Sequence, residues 1–178
     1  MTTAEIRPTS HDSIQRGREY VRGNLGDGVS CPCCGQLAKL YRRTLNSAMA
    51  RALIAMVRLD DRHAGVMVYG GGYRWHYVKS LPLIQGRHGG GDFAKLRWWG
   101  LIAEMPKGDA PQRRTSGMWR VTDLGRRWVF EADTVPRSVL IFDGQVQDIC
   151  GKPIGVREAL GRHFDYSALM GRSGGHRG

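Results

Sequence analysis

Cys31-Pro32-Cys33-Cys34-Gly35 crowds three thiols into four consecutive positions closed by a glycine. Cys31 and Cys34 stand at the C-x-x-C spacing, where a tight turn brings two thiolates together while backbone amides face the sulfurs. In a reducing compartment such a pair binds metal or does redox chemistry more often than it forms a structural bridge. A single turn of this kind offers two ligands, and structural zinc takes four. The remainder would come from Cys33, Cys150 and the histidines His11, His63, His76, His88, His163 and His176. The chain has no second C-x-x-C, so it does not supply two facing turns. Two readings stay open: one structural zinc ion on Cys31 and Cys34 with distant ligands such as His63, His76 or Cys150, or a metal-free turn kept for its shape. A thioredoxin-like redox use would need the motif at the head of a helix in a βαβ pattern, and that alternation is absent.

The second chemical feature is charge. The chain carries 27 Lys and Arg against 16 Asp and Glu, a formal net charge of +11. Residues 37–108 hold twelve basic against four acidic groups and residues 109–130 five against two, while both flanks are balanced. A positive field concentrated in the middle of a chain points to a polyanionic partner. Of the cations 22 are Arg, whose planar fork suits phosphates and guanine edges. Enzyme signatures are missing: there is no phosphate loop, no G-x-S-x-G, no H-E-x-x-H and no spaced carboxylate pairs for nuclease metals. The expectation is a protein that binds and does not catalyse.

These residues must be positioned by a folded chain. At 178 residues, with 41% hydrophobic and 24% charged residues, the sequence can build a packed core and is neither a disulfide-stapled miniprotein nor wholly disordered. The longest apolar run lies around Val139 to Phe142, far short of the roughly 20 residues a membrane span needs. The start, MTTAEIRPTSHD, has no charged n-region or apolar h-region, and an intracellular, cytoplasmic location is expected. Residues 1–36 read as an arm with one short helix at Ile14 to Val21 and the Cys turn. The spacing of Leu37, Leu40, Tyr41, Leu45, Ala48, Met49, Ala52, Leu53, Met56 and Val57 predicts one long helix to Leu59, ended by Asp60-Asp61. Its opposite face would carry Lys39, Arg42, Arg43, Arg51 and Arg58, either simply solvated or lying along a phosphate backbone.

Beyond it, Val66 to Tyr69 suggests a short strand or turn, Tyr73 to Ile84 a strand end or short helix, and residues 85–91 a loop. Asp92 would cap a helix from Phe93 to Trp99, and Gly100 would stop it. Leu101 to Met105 and Gly117 to Val121 read as strands joined by a polar loop. Thr122 would cap a helix over Asp123 to Phe130. Val139 to Ile149 reads as a β-hairpin turning at Asp143-Gly144, residues 155–170 as a broken helix, and residues 171–178 as a flexible tail.

The run Asp92-Phe93-Ala94-Lys95-Leu96-Arg97-Trp98-Trp99-Gly100-Leu101-Ile102 resembles the recognition helix and first wing strand of winged helix-turn-helix domains. Met118-Trp119-Arg120-Val121-Thr122-Asp123-Leu124-Gly125-Arg126 resembles their second wing strand and the following "hT-x-x-G" helix entry. The resemblance covers residues 37–130. With the zinc-knuckle-like CPCCG motif it is also similar in style to small proteins encoded by actinobacterial phages. It implies an α+β fold: a winged-helix core at 37–130, an N-terminal Cys knuckle within 1–36, and a C-terminal hairpin and helix at 131–170. It implies duplex DNA as partner and a phage-type regulator or replication accessory as role, with the recognition helix at 92–99 and a basic wing at 106–117. The DNA contacts would be Arg42, Arg43, Arg87, Lys95, Arg97, Lys107, Arg113, Arg114 and Arg120. The alternative is a module that binds and modulates a host protein, its basic face meeting an acidic surface. A homodimer is compatible with either.

Overall fold

The computed structural model describes residues 7–9, 11–62, 75–77, 90–106 and 117–171. It is α+β with small antiparallel sheets. Backbone packing divides the chain into one compact unit made of Met1–Arg43 with Val139–Ile149, and another made of Thr44–Ser138 with Cys150–Gly178. Among the described residues no helix is long and apolar enough to cross a membrane.

In the first unit, helix α1 spans Ile14–Gly23, its N-terminus capped by Ser13, whose hydroxyl accepts from the amide of Arg16. Val21 within it and Leu25 just beyond it are buried. Strands β1 (Val29–Ser30) and β2 (Leu37–Ala38) pair antiparallel, Val29 with Ala38 and Ser30 with Leu37. The Cys turn is therefore the loop of a small hairpin. Strands β3 (Tyr41–Thr44), β7 (Val135–Phe142) and β8 (Gln145–Ile154) form a sheet in the order β3-β7-β8, of which residues 41–43, 139–142 and 145–149 belong to this unit and the rest to the other. Between β7 and β8 the backbone of Asp143 and Gly144 takes positive φ, 50° and 71°, the type I′ turn expected of an Asp-Gly pair.

Helix α2 spans Ser47–Arg62 and is the spine of the second unit, burying Met49, Leu53, Met56 and Val57. The single helix expected from Leu37 is thus shorter at its start, because residues 37–38 and 41–44 are strands. Their apolar positions satisfy a short strand as well as a helical period, and Leu37 and Tyr41 remain exposed. The true start is set by Asn46, whose side-chain oxygen accepts from the amide of Met49 at 3.0 Å.

Strands β4 (His76–Tyr77), β5 (Ile102–Glu104) and β6 (Met118–Val121) form an antiparallel sheet in the order β4-β6-β5. Ahead of β5 comes a helical turn, α3 (Gly90–Phe93), which tightens into a 3-10 helix over Ala94–Trp99. The expected Asp92 cap is corrected here: the turn already begins at Gly90, and the Asp92 carboxylate instead holds Lys95. The 3-10 form has a physical reason. Phe93, Leu96 and Trp99 are all buried and fall three apart, the repeat that a helix of three residues per turn stacks on one side. Phe93 meets Trp119 edge-on at 5.8 Å, and the Trp99 indole donates to the Pro136 carbonyl at 2.7 Å. Gly100 then takes the left-handed conformation, φ 69°, and closes the helix as expected.

Helix α4 (Asp123–Val129) enters through Thr122, whose hydroxyl accepts from the Gly125 amide at 3.0 Å and donates to the Gly100 carbonyl at 2.6 Å. A side chain at Gly125 would begin 2.1 Å from the Leu101 carbonyl oxygen. The T-x-x-G motif is therefore a docking device, in which threonine caps the helix and glycine lets it lie on the backbone at the head of β5. Trp128 and Val129 are buried behind it, and Trp128 donates to the Ile154 carbonyl at 3.0 Å. Short helices α5 (Val156–Leu160) and α6 (Tyr166–Leu169) pack on α2 and confirm the expected break. The expectations for Val66–Tyr69, for residues 85–89 and for a tail from 172 lie outside the described residues.

Two substitutions test this junction by urea unfolding. Thr122→Ala removes a cap and should cost about 1 kcal/mol. Gly125→Ala must push α4 off the Leu101 backbone and should cost about 3 kcal/mol. Equal, small losses would show that Gly125 is not in close contact.

Candidate functional site

The expected nucleic-acid residues divide sharply by surroundings. Lys95 is held by the Asp92 carboxylate one helical turn earlier. Arg97 projects from the 3-10 helix, 42% exposed, with its guanidinium 3.6 Å from Glu104 on β5. An exposed ion pair of this length contributes little to stability, so Arg97 can exchange Glu104 for a phosphate or base edge at small cost. Arg120 lies over the Trp75 ring at 5.4 Å, against the face of the sheet. Arg42 and Arg43 are exposed on β3 and not on a helix. There Lys39 and Arg43 sit over the Tyr41 ring at 5.4 and 5.8 Å. Arg87, Lys107, Arg113 and Arg114 lie outside the described residues.

The expectation of a cationic outer face on α2 is corrected. Arg51 stacks over the Phe164 ring at 4.7 Å, and Arg58 donates to the Leu169 carbonyl at 2.7 Å. Both arginines are turned into the protein by residues 164–169, which supply an aromatic face and a helix-end carbonyl. The remaining α2 groups fasten the sheet and α4. Asp60 accepts from the His76 ring at 2.6 Å, and Asp61 pairs with Arg126. Asp60-Asp61 does not simply terminate the helix; it ties α2 to β4 and α4. Sequence reasoning did not find these pairs, and nothing local in the sequence signals them. It also left the place of Trp98 open: the indole nitrogen is buried, with no hydrogen-bond partner among the described residues.

The thiol turn is built as the sequence suggests. The Cys31 amide donates to the Gln36 carbonyl and the Gly35 amide to the Cys31 carbonyl, each at 2.8 Å. Gly35 sits at φ 72°, where the chain reverses. Backbone amides of Cys34 and then Cys33, with the Cys34 thiol, face the Cys31 sulfur and hold its thiol below the ordinary range. Cys33 goes the other way. Loss of water around its sulfur and the adjacent Cys31 sulfur push it up, although the residue as a whole stays exposed. Its sulfur faces α1, where a side chain on Gly17 would begin only 2.7 Å away. The turn opens on a groove of about 570 Å³ lined by Ile14, Arg18, Arg22 and Leu37 with Cys31, Cys33 and Cys34.

Of the other ligand candidates, His76 is engaged by Asp60, and His63, His88 and His176 lie outside the described residues. His11 and His163 are described, but among the described residues no three His, Cys, Asp or Glu side chains form a group that could hold a metal ion.

Metal-free, reduced protein should show this asymmetry on alkylation followed by peptide mass spectrometry. Cys31 should label first, with a rate that rises with pH through a midpoint below that of an ordinary thiol. Cys33 should label last, with its midpoint above. The reverse order would refute the amide cradle. The chain matches no protein-family model, no curated protein and no solved structure.

Proposed function

We propose that this protein binds duplex DNA through a winged-helix arrangement in its second unit, as a regulator or replication accessory of the phage type. The observation that carries the reading is the sheet β4-β6-β5 with its preceding helices. A helix, a short strand, a further helical segment and two paired strands follow one another here, with the last strand between the other two, and this succession supports the reading. β5 and β6 are held in register from Ile102 with Val121 to Glu104 with Trp119, extended by the Met105 amide donating to Met118 at 2.9 Å. The ends of the segment carrying Lys107, Arg113 and Arg114 are thereby fixed next to each other. Gly117 supports this clamp: it has φ 71°, and a side chain there would press on the Tyr77 ring at 3.0 Å.

Division of labour follows from position. The cations in the sequence between β5 and β6 suit phosphates, which orient the protein, and Arg97 on the 3-10 helix suits a base edge. Lys39, Arg42 and Arg43 with Tyr41 add a second cationic surface on the first unit.

Binding measured against salt tests the reading. Log affinity for duplex DNA should fall linearly with log salt. Arg113→Ala with Arg114→Ala should weaken all sequences alike and flatten that slope, whereas Arg97→Ala should cost about 1–3 kcal/mol and relax preference at a base position. Absence of binding at low salt would overturn the proposal in favour of an acidic protein partner. Uniform losses from both variants would remove base reading by Arg97.

A further inference from the structure

The thiol turn is not used by the DNA reading and stands independently of it. We propose that Cys31 and Cys34 form half of a zinc site that a second copy of this chain completes, giving a tetrathiolate ion between two copies.

The donor set fits zinc. Two thiols stand at the C-x-x-C spacing in a tight turn closed by the Cys31 amide on the Gln36 carbonyl and the Gly35 amide on the Cys31 carbonyl, the knuckle shape that presents two thiolates to a metal. The described residues of one chain bring no third ligand into range, while a tetrahedral ion needs two more. A two-fold axis through the metal supplies them from the same two residues, as an isologous contact requires.

The surroundings favour a second copy as the occupant. Ile14 and Leu37 line the same groove as the cysteines and are 67% and 58% exposed, large apolar side chains at the edge of the thiol turn. Two copies facing each other would cover both and exclude water from the metal–sulfur bonds. The charge is also of the right sign. A zinc ion with four thiolates is a dianion, and Arg18 and Arg22 of each copy line the groove beside it. Cys33 is outside the ligand set, since its sulfur packs against α1 at Gly17. Binding forms four zinc–sulfur bonds and releases the corresponding thiol protons to solvent, with no change of oxidation state.

The full chain, reduced and stripped of metal by chelation, is titrated with Co²⁺ and then Zn²⁺, while light scattering follows its mass. Saturation is expected at about half an equivalent per chain, with the absorption of tetrahedral thiolate-bound cobalt and a doubling of mass that chelator reverses. Cys31→Ser and Cys34→Ser should abolish uptake and dimerisation together, and Cys33→Ser should leave both intact. Circular dichroism establishes that each variant is folded; where one is not, the stoichiometry and mass of the unaltered chain decide. One equivalent on a monomer would overturn the proposal and place the missing ligands within one chain. Absence of uptake would overturn it in favour of a metal-free turn, and loss of metal in Cys33→Ser would overturn the assigned ligand pair. DNA affinity is read separately, so either proposal can fail alone.

Discussion

The second unit depends on a contact at the Leu101 carbonyl. There the chain leaves a left-handed glycine, starts a strand and receives the first turn of α4 against its backbone. Only a residue without a side chain permits that approach, and Gly125 is that residue. Thr122 fixes the direction of approach, since its amide donates to Leu101, its hydroxyl donates to Gly100, and the same oxygen caps α4. With these bonds made, Trp128 reaches the Ile154 carbonyl and Tyr166 reaches the Val129 carbonyl at 2.6 Å. Trp128 and Tyr166, buried aromatic groups with one polar atom each, are in this way satisfied by backbone acceptors from distant elements, which selects one packing among many apolar ones.

What the sequence made legible is what short-range chemistry determines. Thr122 before a helix, Gly100 after one, Asp143-Gly144 in a hairpin and C-x-x-C-G in a turn each act through hydrogen bonds or backbone angles within a few residues, and each has its expected place. The start of α2 was legible too, in Asn46-Ser47, but was masked by apolar spacing that ran on upstream into strands. The conversion of residues 94–99 to a 3-10 helix was written in the threefold spacing of Phe93, Leu96 and Trp99, which a search for the 3.6 period does not detect.

Long-range charge placement was not legible. Arg51 and Arg58 look like members of a solvated face because their partners, Phe164 and Leu169, come from the far end of the chain. Asp60 and Asp61 look like a helix stop because His76 and Arg126 are brought to them only by the assembled sheet. Charge counted by segment thus overstates what faces solvent, since a guanidinium committed to an internal aromatic ring or carbonyl cannot also neutralise phosphate.

This redistribution sharpens where a polyanion is best met. On the 3-10 helix every cation named for DNA has a carboxylate in reach, Asp92 for Lys95 and Glu104 for Arg97, so contact there exchanges one ion pair for another and gains little from charge alone. Such sites suit discrimination, because the incoming group must match the geometry of the carboxylate it replaces. On β3 the exposed Arg42 and Arg43, with Lys39 and Tyr41 beside them, are arranged for attraction that does not depend on sequence. Under the DNA reading proposed above, affinity is then supplied where cations face solvent and selectivity where they are already paired.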